Sequence, residues 1–323
     1  MHFDGSRFYN ASGRTGQPFK KLPKVFTAPR ARWPRSVPVR PQRPPALDAA
    51  CDVAATFIGH STFLIQSAEG TILTDPVFSR RAGPLGIIGP RRVREPGVRF
   101  EDLPRITVVL LSHNHYDHCD LRTLKRLAER FNPLVVTPLG NGDLVRSAGL
   151  TRVEELDWWQ ASRKSEFPVT LAPAQHFSAR TPFDRNRALW GSFVFELGGR
   201  RLFFAGDTGY NTHFGSIRAR LGRMDLSLLP IGAYEPRWFM QDIHMNPAEA
   251  LQAHLDLDSR TSLAMHFGTF QLTPEGIDEP VRALKTAMAE RNVPEAAFRV
   301  LSPGESWKAP RSSTAVGATN GAR

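Results

Sequence analysis

Between Ala54 and Gln66, apolar and polar side chains alternate with the two-residue rhythm of a half-buried strand. Gly59 interrupts the run, so a strand pair is expected there. Thr71–Thr74 follows the turn residues Glu69-Gly70 as the next strand. Ile106–Leu111 is a nearly continuous apolar run, the pattern of a strand covered on both faces. Leu121, Leu124, Leu127 and Phe131 then recur at helical spacing. Leu134–Thr137, Arg201–Ala205, Leu226–Pro230, Ser262–His266 and Phe298–Leu301 read as further strands. Asn246-Pro247-Ala248-Glu249 marks a helix start, with a capping Asn, Pro at the first helical position and Glu at the third. A last helix is expected over Ile277–Arg291. Strands come first in pairs and then alternate with helices, which predicts a layered α/β protein.

The two ends lack this patterning. Residues 1–50 contain eight prolines and predict an extended arm, with Phe3, Phe8, Tyr9, Phe19, Phe26 and Trp33 as points where parts of it dock. Residues 308–323 are small and polar and predict a disordered tail, leaving 51–307 as the body. Charge follows the same division. The formal net charge is +11, yet the arm alone holds ten Lys/Arg against two acids and the tail three Lys/Arg against none. The body is therefore neutral, and no nucleic-acid partner is expected of its surface. With 41% hydrophobic residues the chain is globular. Two cysteines, Cys51 and Cys119, cannot staple a secreted mini-fold and fit a reduced, cytoplasmic setting. No apolar run reaches the length of about 18 residues that spans a bilayer, and the start lacks the apolar core of a signal peptide.

The histidines are the chemical signal. His113-Asn114-His115-Tyr116-Asp117-His118 places three imidazoles and a carboxylate within six residues, directly after the buried strand Ile106–Leu111. Such groups are costly to bury without a cation, and they are ligand types that zinc prefers. Four so close together crowd one tetrahedral ion, which points to two: His113 and His115 toward one, Asp117 and His118 toward the other. His176, Asp207 and His266 each follow a strand-like segment, where layered α/β folds place their ligands, and His244 stands two residues before the helix at Asn246. His60 is a candidate to orient a ligand from behind. His2, His213 and His254 have no such context, and Cys119 reads as a buried neutral thiol.

The His113–His118 run resembles the signature of the metallo-β-lactamase superfamily. Gly59–Thr62, Leu73–Ser79, Glu155–Trp159, Leu189–Ser192, Phe203–Tyr210 and above all Pro230-Ile231-Gly232-Ala233-Tyr234-Glu235-Pro236-Arg237-Trp238-Phe239-Met240 are similar to its N-acyl-phosphatidylethanolamine-hydrolysing phospholipase D branch. The resemblance covers residues 52–306, and Phe8-Tyr9-Asn10 is reminiscent of that branch's entry segment. It implies a four-layer αββα sandwich carrying an extended basic N-terminal arm, and two Zn2+ per chain. One zinc would take His113, His115 and His176, the other Asp117, His118 and His266, with Asp207 bridging. It also implies catalytic roles for Asp117 and His244, and substrate contacts from His244, Arg180 and Tyr116.

The implied reaction is hydrolysis of N-acyl-phosphatidylethanolamine to N-acylethanolamine and phosphatidate. The implied partners are a phospholipid substrate and an anionic membrane surface on which the protein is peripheral; a homodimer is compatible with this picture. Leu85, Ile87 and Ile88, with Arg91, Arg92 and Arg94 beside them, are the candidate lipid contacts. The arm would serve as a basic tether, apart from the chemistry. The alternative is a soluble hydrolase of a small phosphodiester, lactone or thioester, for which the same metal core would serve.

Overall fold

In the computed structural model, which describes residues 2–13, 17, 21, 24, 29–47 and 51–310, the first hairpin sorts its side chains between two cores. Strands β1 (Cys51–Gly59) and β2 (Thr62–Gln66) pair antiparallel, with Phe57 opposite Phe63 and Ala55 opposite Ile65. Successive side chains on a strand point to opposite faces, so Phe57, Phe63 and Ile65 enter one apolar cluster while Ile58 and Leu64 enter another.

The first half of the chain continues with β3 (Thr71–Thr74), β4 (Val108–Leu110), β5 (Leu134–Pro138) and β6 (Val153–Leu156). The second half adds β7 (Val169–Ala172), β8 (Ser192–Leu197), β9 (Arg200–Phe204), β10 (Leu226–Pro230), β11 (Thr261–Met265), β12 (Phe298–Arg299) and β13 (Ser306–Pro310). Among the described residues these make a seven-stranded sheet, β13-β1-β2-β3-β4-β5-β6, and a six-stranded sheet, β12-β11-β10-β9-β8-β7. Each is antiparallel at one end and parallel at the other: β3 to β6 run parallel in the first, β9 to β12 in the second.

The helices are α1 (Leu121–Arg130), α2 (Gly142–Arg146), α3 (His213–Leu221), α4 (Arg237–Met240), α5 (Pro247–Asp256) and α6 (Glu279–Glu290). Leu124 and Leu127 of α1 and Val145 of α2 pack with Val109, Leu111 and Val135 on the outer face of the first sheet. The other cluster joins the inward residues Phe57, Val108 and Val136 to Phe193 and Phe195 of the second sheet, and extends to Leu251 of α5 and Leu284 and Met288 of α6. The architecture is the expected αββα sandwich. No helix among the described residues is long and apolar enough to cross a membrane.

The expected strands and helices are present; β8, α2, α3 and α4 were not expected, and two further omissions, β6 and β13, have physical reasons. In β6, Glu154 and Glu155 make the segment look polar, but it is a sheet edge, and Glu155 accepts the Gly140 and Gly142 amides at 2.7 and 3.0 Å. In β13, Trp307 is the one large apolar residue, and pairing with β1 carries the strand to Pro310, past the expected end of the body. Residues 311–323 of the expected tail, and Phe19 and Phe26 of the arm, lie outside the described residues.

The described parts of the arm lie along the body. Ala31 donates to the Pro274 carbonyl, Trp33 to Glu275, Val37 to Val93 and Gln42 to Gly97, at 2.7–2.8 Å. Nearer the start, Phe8 is buried, Asn10 is 2% exposed, and His2 stacks on Trp158 at 4.4 Å. Arg92 and Arg94, two of the expected lipid contacts, turn inward instead: Arg92 is 3% exposed and donates to the carbonyls of Val77, Ser79 and Arg94. Arg94 donates to Gly268.

Helix α5 begins with the expected capping arrangement. The Asn246 side chain accepts from the Glu249 amide at 2.8 Å, and the Glu249 carboxylate accepts from the Asn246 amide at 2.9 Å. Asn246→Ala should cost about 1 kcal/mol of stability, read as a lower urea midpoint; an unchanged midpoint would show that the cap contributes nothing.

Candidate metal centre

The site lies where strands from both sheets end. His113 follows β4, His176 follows β7, Asp207 follows β9 and His266 follows β11. Gly206, with φ 58°, turns the chain after β9, and a Cβ there would stand 2.5 Å from the Ser112 side chain. That close approach brings Asp207 from one sheet to His118 from the other.

Two groups of ligand atoms result. His113 Nε2 stands 2.9 Å and His176 Nε2 3.3 Å from His115 Nδ1. Asp117 Oδ2 lies 3.5 Å from His118 Nε2 and 3.4 Å from His266 Nε2. Asp207 Oδ2 sits between the groups, 3.1 Å from both His118 and His266 and 3.8 Å from His176. The seven residues expected as ligands therefore converge on one place. His244 joins them at 7% exposure, its Nε2 3.8 Å from Asp207 Oδ2.

Hydrogen bonding tests whether this set suits a cation. His176 Nδ1 faces the Ile243 carbonyl at 2.8 Å, an acceptor only, so it carries the proton and Nε2 presents a bare lone pair to the cluster. Asp75 Oδ2 faces His118 Nδ1 at 2.6 Å and does the same for His118. His118 Nε2, His266 Nε2 and Asp207 Oδ1 are buried with no hydrogen-bond partner. Buried polar atoms crowded together in this way are what a cation satisfies. This is a metal-binding centre, and its imidazole and carboxylate donors fit zinc as well as iron or manganese.

Charge balance agrees. Burial alone would raise the Asp117 and Asp207 carboxylic acids, but the surrounding histidines, His118 first, hold both well below the ordinary carboxylate range. Burial lowers His118 and His266, yet Asp207 above all carries His118 well above its usual value and His266 up to about 9. The carboxylates thus draw positive charge to the positions a metal would neutralise. Burial dominates at His113, held well below its usual value, and at His115 and His176, held at about 3 and about 4, which keeps all three neutral and fit to ligate.

Further residues support the ligands. Asp75 has φ 29° and accepts from both the amide and the hydroxyl of Ser112, whose hydroxyl also lies 2.9 Å from His113 Nδ1. His60 Nε2 stands 3.0 Å from Asp117 Oδ2, the orienting place expected of it. Arg237 pairs with both Glu249 oxygens and donates to the His244 carbonyl at 3.0 Å, tying the Tyr234–Met240 stretch to the capping box of α5. The Arg180 guanidinium lies 4.0 Å from the Tyr116 ring and donates to the carbonyls of Asn114 and Cys119, bracing the ligand loop from outside. Cys119 is buried, its thiol pushed up to about 12 by burial. His254 bonds Ser262 at 2.8 Å, while His2 and His213 meet Asp157 and Thr208, so all three are structural.

A histidine–aspartate centre at the shared edge of two sheets is the arrangement of a metallo-β-lactamase fold. A family model described as β-lactamase superfamily domain matches residues 70–267, and the chain belongs to that superfamily. An uncharacterized Mycobacterium tuberculosis protein is 42% identical over 249 residues, 76% of this chain and 66% of the relative, so the chain spans just under two thirds of that protein's length. The N-acyl-phosphatidylethanolamine-hydrolyzing phospholipase D 1 of Caenorhabditis elegans is 37% identical over 269 residues, 79% of this chain and 75% of that one. Among solved structures, an isothiocyanate hydrolase from Delia radicum gut bacteria aligns with TM-score 0.64 at 20% identity, covering 80% of this chain and 100% of that one. CmlA, a diiron β-hydroxylase from Streptomyces venezuelae, aligns with TM-score 0.59 at 19% identity, covering 80% and 54%.

His113→Ala and Asp207→Asn should each strip the protein of metal, and Asp75→Asn should weaken metal binding roughly 10- to 100-fold. Elemental analysis and chelator competition check both; full retention by all three variants would remove the site.

The metal-free chain should also show a stability maximum near pH 6.5. His60 and His176 stand at about 3 and about 4 when folded, chiefly through burial, against 6.5 unfolded. Above pH 6.5 they are neutral in both states. Below it the unfolded chain takes up protons that the folded chain refuses, so stability falls toward pH 4. His266, raised to about 9, contributes stability that is complete below pH 6.5 and lost as pH climbs to 9. Urea midpoints in chelator across that range test the shape, and a flat profile would contradict it.

Proposed function

We propose that the chain is a di-zinc phosphodiesterase that hydrolyses N-acyl-phosphatidylethanolamine to N-acylethanolamine and phosphatidate. The observation that carries this reading is the seven-ligand centre within a chain 37% identical to the C. elegans phospholipase. His113, His115 and His176 would hold one ion, Asp117, His118 and His266 the other, and Asp207 would bridge. When bound, the two ions supply a water acidified toward a pKa of about 7 and neutralise the phosphate charge that repels a nucleophile.

The chain's own groups do the rest. The bond broken joins phosphorus to the ethanolamine-side oxygen, and the water oxygen is gained by phosphorus. Asp117 would accept the water's proton, and the departing ethanolamine-side oxygen would take up a proton in turn to leave as the alcohol. Burial holds His244 neutral, which suits its ring to donate a hydrogen bond to the phosphate or the leaving oxygen. Tyr116 and Arg180 share a cavity of about 220 Å³ with Leu85, Arg122 and Lys125, lined by none of the ligands.

A lipid substrate needs a surface. Leu85, Ile87 and Ile88 are 74%, 59% and 62% exposed. Beside them, Arg80, Arg81, Arg122 and Arg126 line a groove of about 400 Å³ with Ile87. Apolar side chains ringed by guanidinium groups suit an anionic membrane, on which the protein would be peripheral. The bases that would meet lipid are these, with Arg91, in place of the inward-facing Arg92 and Arg94.

The test is turnover of N-acyl-phosphatidylethanolamine in vesicles beside soluble phosphodiesters, lactones and thioesters. Release of N-acylethanolamine and phosphatidate, abolished by His113→Ala, is expected. Replacing Leu85, Ile87 and Ile88 together by Ser should reduce vesicle binding and lipid turnover while sparing any soluble diester. Turnover of soluble substrates alone would favour the small-substrate hydrolase, and flotation with vesicles without hydrolysis would favour a binding protein.

A further inference from the structure

Asn10 belongs to the proline-rich arm, 166 residues from the metal ligand it touches. It is 2% exposed, and its side chain is used in both directions. Asn10 Nδ2 donates to the His176 carbonyl at 2.9 Å, and Asn10 Oδ1 accepts from the His176 amide at 3.1 Å. One amide side chain thus closes both backbone hydrogen bonds of a single residue, as a neighbouring strand would. Asn10 Oδ1 also accepts from the Trp190 indole at 3.0 Å, which fixes the orientation of the amide. Two residues on, Ser12 donates to Gln175 Oε1 at 2.7 Å. The Gln175 amide in turn donates to Thr208, next to Asp207, at 2.9 Å.

The segment is held in place from both sides of Asn10. The Phe8 amide donates to the Asn186 carbonyl at 2.8 Å and the Tyr9 amide to His2 at 2.9 Å. His176 has little else to hold its backbone, because β7 has ended at Ala172. Its ring must nevertheless present Nε2 to the cluster while Nδ1 donates to Ile243.

We propose that Asn10 is a positioning residue of the metal centre, and that residues 2–13 complete the site by clamping His176 and the Gln175–Thr208 contact. The proposal rests on His176 being a metal ligand. Linkage makes the coupling reciprocal: a clamp that tightens metal binding must itself be tightened by metal.

The experiment uses the full chain and Zn2+ in chelator competition. Asn10→Ala should weaken Zn2+ binding about 10- to 100-fold, the range typical of groups that orient a metal ligand. Trp190→Phe, which keeps an aromatic ring but removes the N–H that Asn10 Oδ1 shares with the Ala174 carbonyl, should weaken it less. In the wild type, added Zn2+ should slow hydrogen exchange at the Phe8 and Tyr9 amides, and in Asn10→Ala it should no longer do so. Wild-type Zn2+ affinity in a folded Asn10→Ala chain would overturn the proposal. So would a thermal midpoint lowered equally with and without Zn2+, which marks a merely structural role. If Asn10→Ala fails to fold, exchange in the wild type that is indifferent to Zn2+ overturns it instead. His113→Ala separates the two levels: retention of Zn2+ there would remove the ligand assignment itself, whereas its loss there with wild-type binding in Asn10→Ala would remove only the clamp.

Discussion

Two carboxylates set among histidines dominate the electrostatics of the site. Asp117 and Asp207 are surrounded by His60, His118, His176, His244 and His266, with oxygen-to-nitrogen distances of 3.0–3.8 Å. An unpaired carboxylate in such a place costs several kcal/mol, and the neighbouring imidazoles repay it only by carrying positive charge. His118 and His266 are raised in this way, whereas His113, His115, His176 and His244 are driven toward the neutral form. A cation resolves the conflict, because it offsets the carboxylates and takes the lone pairs of the neutral rings at once. The rest of the edge is built to keep those groups from relaxing away from one another.

That rigidity comes from outside the ligands. Asp75 and Ser112 hold His118 and His113, His60 holds Asp117, the Ile243 carbonyl holds His176, and Arg237 with Glu249 holds the carbonyl of His244. His60 and His266 have φ values of 57° and 59°, and Asp75 has 29°, so three of these residues sit in a left-handed backbone that L side chains adopt at a cost. Such strain persists where the surroundings determine the conformation from several sides. Here the two sheets do so, since their closely packed edges leave the intervening loops few alternatives. A fold with both sheets covered by helices can bear this, because its apolar burial is large compared with the local cost.

The ligands were legible in the sequence for a reason that does not extend to their supports. Imidazoles and carboxylates crowded into His113–His118 stand out because density of that kind has few uses other than metal. The helix start at Asn246 was legible because capping is local: cap, proline and acid lie within four residues. Asp75 lies in the Leu73–Ser79 stretch that carried the resemblance, but nothing in that stretch showed what it would hold. It follows a strand like many other aspartates, and its role exists only because β3 and β4 lie side by side and bring it to Ser112. Strands β6 and β13 were invisible for a related reason, since an edge strand takes its stability from one neighbour and needs little apolar pattern of its own. The inward turn of Arg92 was equally beyond reach: an arginine that satisfies three backbone carbonyls looks in sequence like one that waits for a phosphate.

The arm shows the limit of arguing from charge alone. Its net positive charge and its prolines suggested a tether separate from a neutral catalytic body. The charge does lie at the ends, but Asn10 carries none, and it is the arm residue that reaches the centre. Its amide does for His176 what a further strand would do, without the cost of burying a charge. A cationic side chain there could donate to the His176 carbonyl but could not accept from the His176 amide. A neutral group that both donates and accepts is therefore the chemistry to expect wherever a peripheral segment is used to brace a cation site, and basic residues are better kept for the stretches of such a segment that face solvent or lipid.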